Sequence, residues 1–99
     1  MNEAIYGVVG LSPQKYSLIM YYVYFLRSIN NPTKTYVGYT INLKQRLETH
    51  NSGGSIHTKT DRPWKLIVFL GFDTEAKAKS FEKYIKAGSG NAFAKKRFW

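Results

Sequence analysis

Arg46 and His50 stand about one helical turn apart in the segment Leu43-Lys44-Gln45-Arg46-Leu47-Glu48-Thr49-His50, beside its leucines. At about 100° per residue, Leu43 and Leu47 define the buried direction, and Arg46 and His50 fall on one flank of it. Lys44, Gln45 and Glu48 point to solvent. A guanidinium is a planar fork of donors that suits phosphate oxygens and does not lose its charge. The same pair also reads as a snorkelling arginine and a histidine held at a helix C-terminus by the dipole. Two strand patterns precede the helix, Tyr22-Val23-Tyr24-Phe25-Leu26 and Thr35-Tyr36-Val37-Gly38-Tyr39. Tyrosines on strands are usually half-buried packing with the hydroxyl at the surface. In a basic, metal-containing site, however, a phenol such as Tyr24, Tyr36 or Tyr39 is expected to have a lowered pKa and to orient or deprotonate water.

Glu82 adds the opposite charge. It lies between Ala78 and Ile85 on a helical wheel, beside the apolar stripe, and no other acid of either helix is so placed. One or two carboxylates suffice for Mg²⁺, whose remaining ligands are water and substrate phosphate. As a surface residue, Glu82 would instead pair with Lys86 at i+4, worth roughly 0.2–0.5 kcal/mol.

Lys+Arg number 15 against 6 Asp+Glu, a net charge of +9, and that excess points to a polyanionic partner. It is concentrated at the C-terminal end: from Glu75 to Trp99, seven Lys/Arg face two acids. Candidate nucleic-acid contacts are Arg27, Lys44, Arg62, Lys83, Lys86, Lys95, Lys96 and Arg97. Phe98 and Trp99 beside the last three combine aromatic faces with positive charge, which suits unpaired nucleotides. The alternative is that Phe93 and Phe98 dock the last helix on the core while the basic residues stay solvated. The chain has no cysteine, which excludes disulfides, thiolate metal sites and a cysteine nucleophile. Leu18 to Leu26 is too short an apolar run to span a membrane, and the N-terminus has no secretion pattern, so a cytoplasmic protein is expected.

The elements that must position these residues follow from periodicity and punctuation. Met20 to Ser28, rich in aromatic and β-branched residues, reads as a strand. Asn30-Asn31-Pro32 is turn chemistry and Thr35 to Thr40 a second strand, so the two form an antiparallel hairpin. Asn42 caps the Arg46 helix, with Gln45 placed as a capping-box partner, and Asn51-Ser52-Gly53-Gly54 ends it. Trp64 to Leu70 is a third strand. Asp73 or Thr74 caps a second helix with Ala78, Phe81 and Ile85 as its apolar stripe. Gly88-Ser89-Gly90 breaks the helical pattern, and Asn91 caps a short basic helix from Ala92 to Trp99. The order β-β-α-β-α-α predicts an α+β fold, a small antiparallel three-stranded sheet flanked by helices. Residues 19–99 form a single domain, and residues 1–18, without a clear period, form a leader or arm.

At these residues the chain resembles the GIY-YIG endonucleases, and most closely their small stand-alone bacterial branch. The two tripeptides are Tyr22-Val23-Tyr24 and Tyr36-Val37-Gly38; Arg46, His50 and Glu82 match the family's arginine, histidine and metal-binding glutamate. Tyr36-Val37-Gly38-Tyr39-Thr40, His50-Asn51-Ser52-Gly53, Arg62-Pro63-Trp64-Lys65-Leu66, Phe81-Glu82-Lys83-Tyr84-Ile85-Lys86 and Gly88-Ser89-Gly90-Asn91-Ala92-Phe93 are also similar to that branch. Tyr22 replaces the glycine of the family name, and Tyr39 stands where some relatives carry lysine. The resemblance implies hydrolysis of DNA phosphodiesters with one Mg²⁺ or Mn²⁺ on Glu82, in DNA repair or processing. By the same resemblance, Tyr36 activates water, Tyr24 supports it and orients the phosphate, Arg46 stabilises transition-state charge, and His50 bonds a phosphate oxygen or relays a proton. A non-catalytic nucleic-acid-binding module of the same fold is the alternative.

Overall fold

The computed structural model describes residues 19–99, so the expected leader or arm at 1–18 lies outside the described residues. Its central element is β1 (Tyr21–Ser28), in which Val23, Tyr24, Phe25 and Leu26 are all fully buried. Four consecutive buried residues require cover on both faces of a strand, because successive side chains point to opposite sides. β2 (Thr35–Thr40) and β3 (Trp64–Phe72) flank β1 in the order β2-β1-β3, both antiparallel to it. The register between β1 and β3 shifts between Phe25 and Leu26, so that Phe25 pairs with Val68 and Leu26 with Leu66.

Two cores result. On one face Tyr24, Leu26 and Trp64 pack with Tyr36, Leu43, Leu47 and Leu66, which brings in the helix α1 (Leu43–Ser52). On the other, Val23 and Phe25 meet Ala78 and Ile85 of α2 (Glu75–Ile85) and Ala94 of α3 (Gly88–Arg97). The expected α+β fold and β-β-α-β-α-α order are observed.

The helix ends show why these segments turn helical where they do. Asn42 Oδ1 accepts the Gln45 N–H at 3.1 Å, as an N-cap should. The reciprocal capping-box bond from Gln45 is replaced: the Asn42 N–H goes to Thr40 Oγ1 at 3.1 Å. Gly53, at φ 89°, closes α1, and its N–H bonds the carbonyls of His50 and Thr49. Thr74, not Asp73, caps α2.

One boundary corrects the sequence reading. The last helix starts at Gly88 and runs through Asn91, so Gly90 lies inside it. A Cβ at Gly90 would overlap the Tyr84 carbonyl group and come 3.0 Å from Ile85 Cα. The glycine permits two helices to touch backbone to backbone, and a packing glycine is indistinguishable from a helix breaker in a local pattern.

Candidate active site

α1 places His50 inward rather than at its flank. The imidazole is 1% exposed, the only buried residue of its helix, whereas Leu43 and Leu47 are half-buried and Arg46 is exposed. It is therefore not a C-terminal dipole cap. Its Nε2 lies 2.7 Å from the Tyr24 hydroxyl and its Nδ1 2.6 Å from Thr58 Oγ1. The rings of Tyr24 and Tyr36 approach it at centroid distances of 5.6 and 5.1 Å. Burial, and then the nearby Arg46 charge, hold its pKa below the ordinary histidine value, which favours the neutral ring.

Tyr24 is where the candidate residues meet. Its pKa is pushed up to about 12, first by burial and next by Tyr36, with Glu82 adding to the rise and Arg46 opposing it. The expectation of a lowered pKa is corrected for this residue: desolvation outweighs the one cation, and Tyr24 remains a protonated phenol. Strand pairing explains its position. Tyr24 stands opposite Gly38, whose missing side chain leaves room for the phenol ring. The Tyr36 ring lies 6.3 Å from that of Tyr24.

Glu82 approaches from the helical layer on the other face of the sheet. Its side chain is 23% exposed, and its Oε2 lies 2.8 Å from Lys86 Nζ. The i+4 pair is thus formed, and the carboxylate still acts on Tyr24 through its charge. Among the described residues, no group of three His, Cys, Asp or Glu that could hold a metal ion occurs. One partly exposed carboxylate suits a hard cation that completes its shell with water and phosphate oxygen.

Two clefts open beside these groups. One, about 260 Å³, has Arg46 on its wall with Thr40, Asn42, Gln45 and Thr49. Another of about 260 Å³ places Tyr36 with Lys86, Asn91 and Trp99. A wider concavity, about 620 Å³ between Phe72, Phe81 and Tyr84, contains none of the candidate residues.

The predicted basic contacts divide. Lys44, Lys83, Lys95, Lys96 and Arg97 are exposed. Arg27 is engaged within the chain: its guanidinium donates to the carbonyls of Pro32 and Trp99 and lies 5.4 Å from the Trp99 ring centre. Arg62 donates to the Lys59 carbonyl, and Lys86 is held by Glu82. Phe98 and Trp99 both sit edge-on to Phe25, at 5.1 and 5.3 Å. They pack against the core rather than presenting free stacking faces, as the docking alternative has it for Phe98; Phe93, expected to dock with it, is exposed and touches only the Phe98 ring among the aromatics. Tyr39, which stands where some relatives carry lysine, donates to Glu75 at 3.3 Å and lies under Lys79 Nζ.

Thr58 escaped the sequence reading. It is fully buried in a polar loop whose neighbours His57, Lys59 and Thr60 are exposed. Trp64 Nε1 donates to its carbonyl at 2.8 Å, and its N–H donates to the Ser55 carbonyl. No local period marks such a residue; its partner lies eight positions back, on α1.

A family model described as the GIY-YIG catalytic domain matches residues 20–96. The chain is 46% identical over 67 residues to a UPF0213 protein of Pediococcus pentosaceus, covering 67% of this chain and 68% of that one. It is 44% identical over 69 residues to the structure-specific endonuclease subunit SLX1 of Candida dubliniensis, covering 63% of this chain. That match spans only 24% of the fungal protein's length. The solution structure of a UPF0213 protein from Bacillus halodurans superimposes with a TM-score of 0.48 at 27% identity, over 78% of this chain and 81% of that one. No helix among the described residues is long and apolar enough to cross a membrane.

Proposed function

Because this chain belongs to the GIY-YIG family, we propose that it is a metal-dependent endonuclease that hydrolyses DNA phosphodiesters, leaving 5′-phosphate and 3′-hydroxyl ends. The observation that carries this reading is the convergence on Tyr24: His50 bonds its hydroxyl, Tyr36 lies beside it, and the charges of Arg46 and Glu82 both act on it. These residues come from both helical layers and two strands, and a fold held together by packing alone has no need to gather them.

Each group has a task suited to its environment. Tyr36, half-buried on the wall of an open cleft, takes part in activating the attacking water. Tyr24, protonated across the working range, orients the phosphate and Tyr36 through its hydroxyl. Arg46, exposed at the mouth of its own cleft, stabilises the negative charge that grows on the scissile phosphate. His50, neutral and buried, supports Tyr24. Glu82 holds one Mg²⁺ or Mn²⁺, for which Lys86 must give way. The ion, when bound, supplies Lewis-acid stabilisation of the leaving 3′ oxygen. Lys44, Lys83, Lys95, Lys96 and Arg97 track the backbone phosphates. The fungal relative is named a structure-specific endonuclease subunit, which supports selection of DNA by its structure; the reading places that activity in DNA repair or processing.

A second reading has one observation in its favour. The Glu82–Lys86 ion pair neutralises an acid that would otherwise repel DNA, as a non-catalytic binding module of this fold would require. Supercoiled plasmid, labelled branched DNA and single strands, incubated with wild type and Glu82→Ala with and without Mn²⁺, separate the two. The nuclease reading expects metal-dependent nicking by wild type, lost in the variant with DNA binding equal or tighter. Absence of cleavage on all three by a folded protein that still binds DNA makes it a binding module.

A further inference from the structure

We propose that Thr58 is a positioning residue of this site: its buried hydroxyl donates to His50 Nδ1 and so leaves the proton of the imidazole on Nε2, aimed at the Tyr24 oxygen. The proposal rests on the nuclease reading for its effect on cleavage, but its structural content does not depend on that reading.

A neutral imidazole has one N–H and one lone pair, so the chain Thr58–His50–Tyr24 must run in a single direction. If it ran from Tyr24 inward, His50 Nδ1–H would donate to Thr58, and the threonine proton would need another acceptor. Thr58 is 0% exposed, and the bond its hydroxyl makes among the described residues is the one to His50, which leaves that proton no other protein acceptor there. Running outward, Thr58 donates to Nδ1 and Nε2–H donates to Tyr24. The proton left over is then that of Tyr24, at the end of the chain where a substrate oxygen arrives. Arg46 can only donate, and its charge falls on the same Tyr24 oxygen, which has lone pairs for both it and Nε2–H.

Every donor of this chain therefore points outward through Tyr24, the residue to which the nuclease reading assigns the phosphate. The groups facing His50 are Tyr24, Tyr36, Arg46 and Thr58, and none of them is an acid. The threonine is itself clamped: Trp64, 6% exposed, holds its carbonyl, and the Ser55 carbonyl holds its N–H. That rigidity makes the hydroxyl a fixed reference for the ring, much as a partner on the far nitrogen fixes the tautomer of a metal-bound histidine.

The test reads the tautomer directly. Imidazole nitrogen-15 spectra of the protein without DNA, with His57→Gln to assign the two histidines, are expected to show the proton of His50 on Nε2. Thr58→Val keeps the side-chain shape and removes the hydroxyl; it is expected to raise the Nδ1–H form and to lower kcat on the order of tenfold with KM unchanged. Thr58→Ser restores both. A wild-type proton on Nδ1 overturns the proposal, as does Thr58→Val with unchanged tautomer and kcat, or a folded Thr58→Ser that fails to restore them. If Thr58→Val does not fold, the wild-type spectrum and Thr58→Ser still decide. If the protein cuts no DNA, the nuclease reading fails while the spectra test the hydrogen-bond direction alone.

Discussion

Gly38 of β2 stands directly opposite Tyr24 of β1, and the phenol ring lies across the bare glycine: a Cβ there would come 2.5 Å from Tyr24 Cζ and 2.9 Å from Tyr36 Cε2. Both phenols of the site are thus positioned by one absent side chain. Gly38→Ala is expected to displace Tyr24, break its bond to His50 and cost roughly 1–3 kcal/mol, the usual scale of overpacking. A urea melt alongside single-turnover cleavage checks this, and an alanine variant with wild-type stability and rate refutes it.

Arg46 is exposed, so its removal should leave the fold intact. Arg46→Ala is expected to cut turnover by roughly a hundredfold or more, the scale of losing one preorganised electrostatic donor. DNA affinity should change little, because the other Lys and Arg residues share the ground-state attraction. Lysine in its place should recover only part, having the charge without the planar fork. A stability loss at unchanged rate per folded molecule would return Arg46 to a packing role.

Acid should weaken the fold through His50. Its pKa is below the ordinary value of about 6.5 when folded, because burial and the Arg46 charge oppose its protonation. Below that value the unfolded chain binds a proton that the folded one resists, so the unfolded state is favoured. The contribution is present above about pH 6.5 and is lost as pH falls through the folded pKa. Urea midpoints measured from about pH 7.5 down to about pH 5 should fall, while the imidazole of His50 titrates below the ordinary histidine value. A flat midpoint with ordinary titration contradicts this.

The C-terminal aromatics test docking against nucleotide stacking. Phe98 and Trp99 both pack on Phe25, and Arg27 is tied to Trp99. Removing the two residues, both half-buried, is expected to cost about 2 kcal/mol, below the range for losing fully buried rings, and to leave affinity for single-stranded DNA nearly unchanged per folded molecule. The opposite pattern, weaker binding at unchanged melting temperature, would make the tail a stacking platform.

The strands, the α1 cap at Asn42, the stripe of α2 and the two isolated charges Arg46 and Glu82 were legible because each is a local pattern. Alternation, helical spacing and turn residues act over a few positions, and a charged residue beside an apolar stripe is visible from the spacing alone. What escaped local reading depends on residues far apart in the chain. Gly90 reads as a helix breaker until α2 is seen to press its Tyr84 carbonyl against it. His50 reads as a flank residue or a C-terminal cap until the loop returns Thr58 to its Nδ1 and β1 presents Tyr24 to its Nε2. The acidity of Tyr24 was misjudged for the same reason: residue type and net charge suggest a lowered pKa, whereas burial between β2 and α1 sets the sign. Trp99 reads equally as core or platform until Phe25 is found beneath it. Composition and spacing determined which elements form and which groups are available for chemistry. Desolvation and hydrogen-bond direction depend on what covers a side chain, and only the assembled layers decided those.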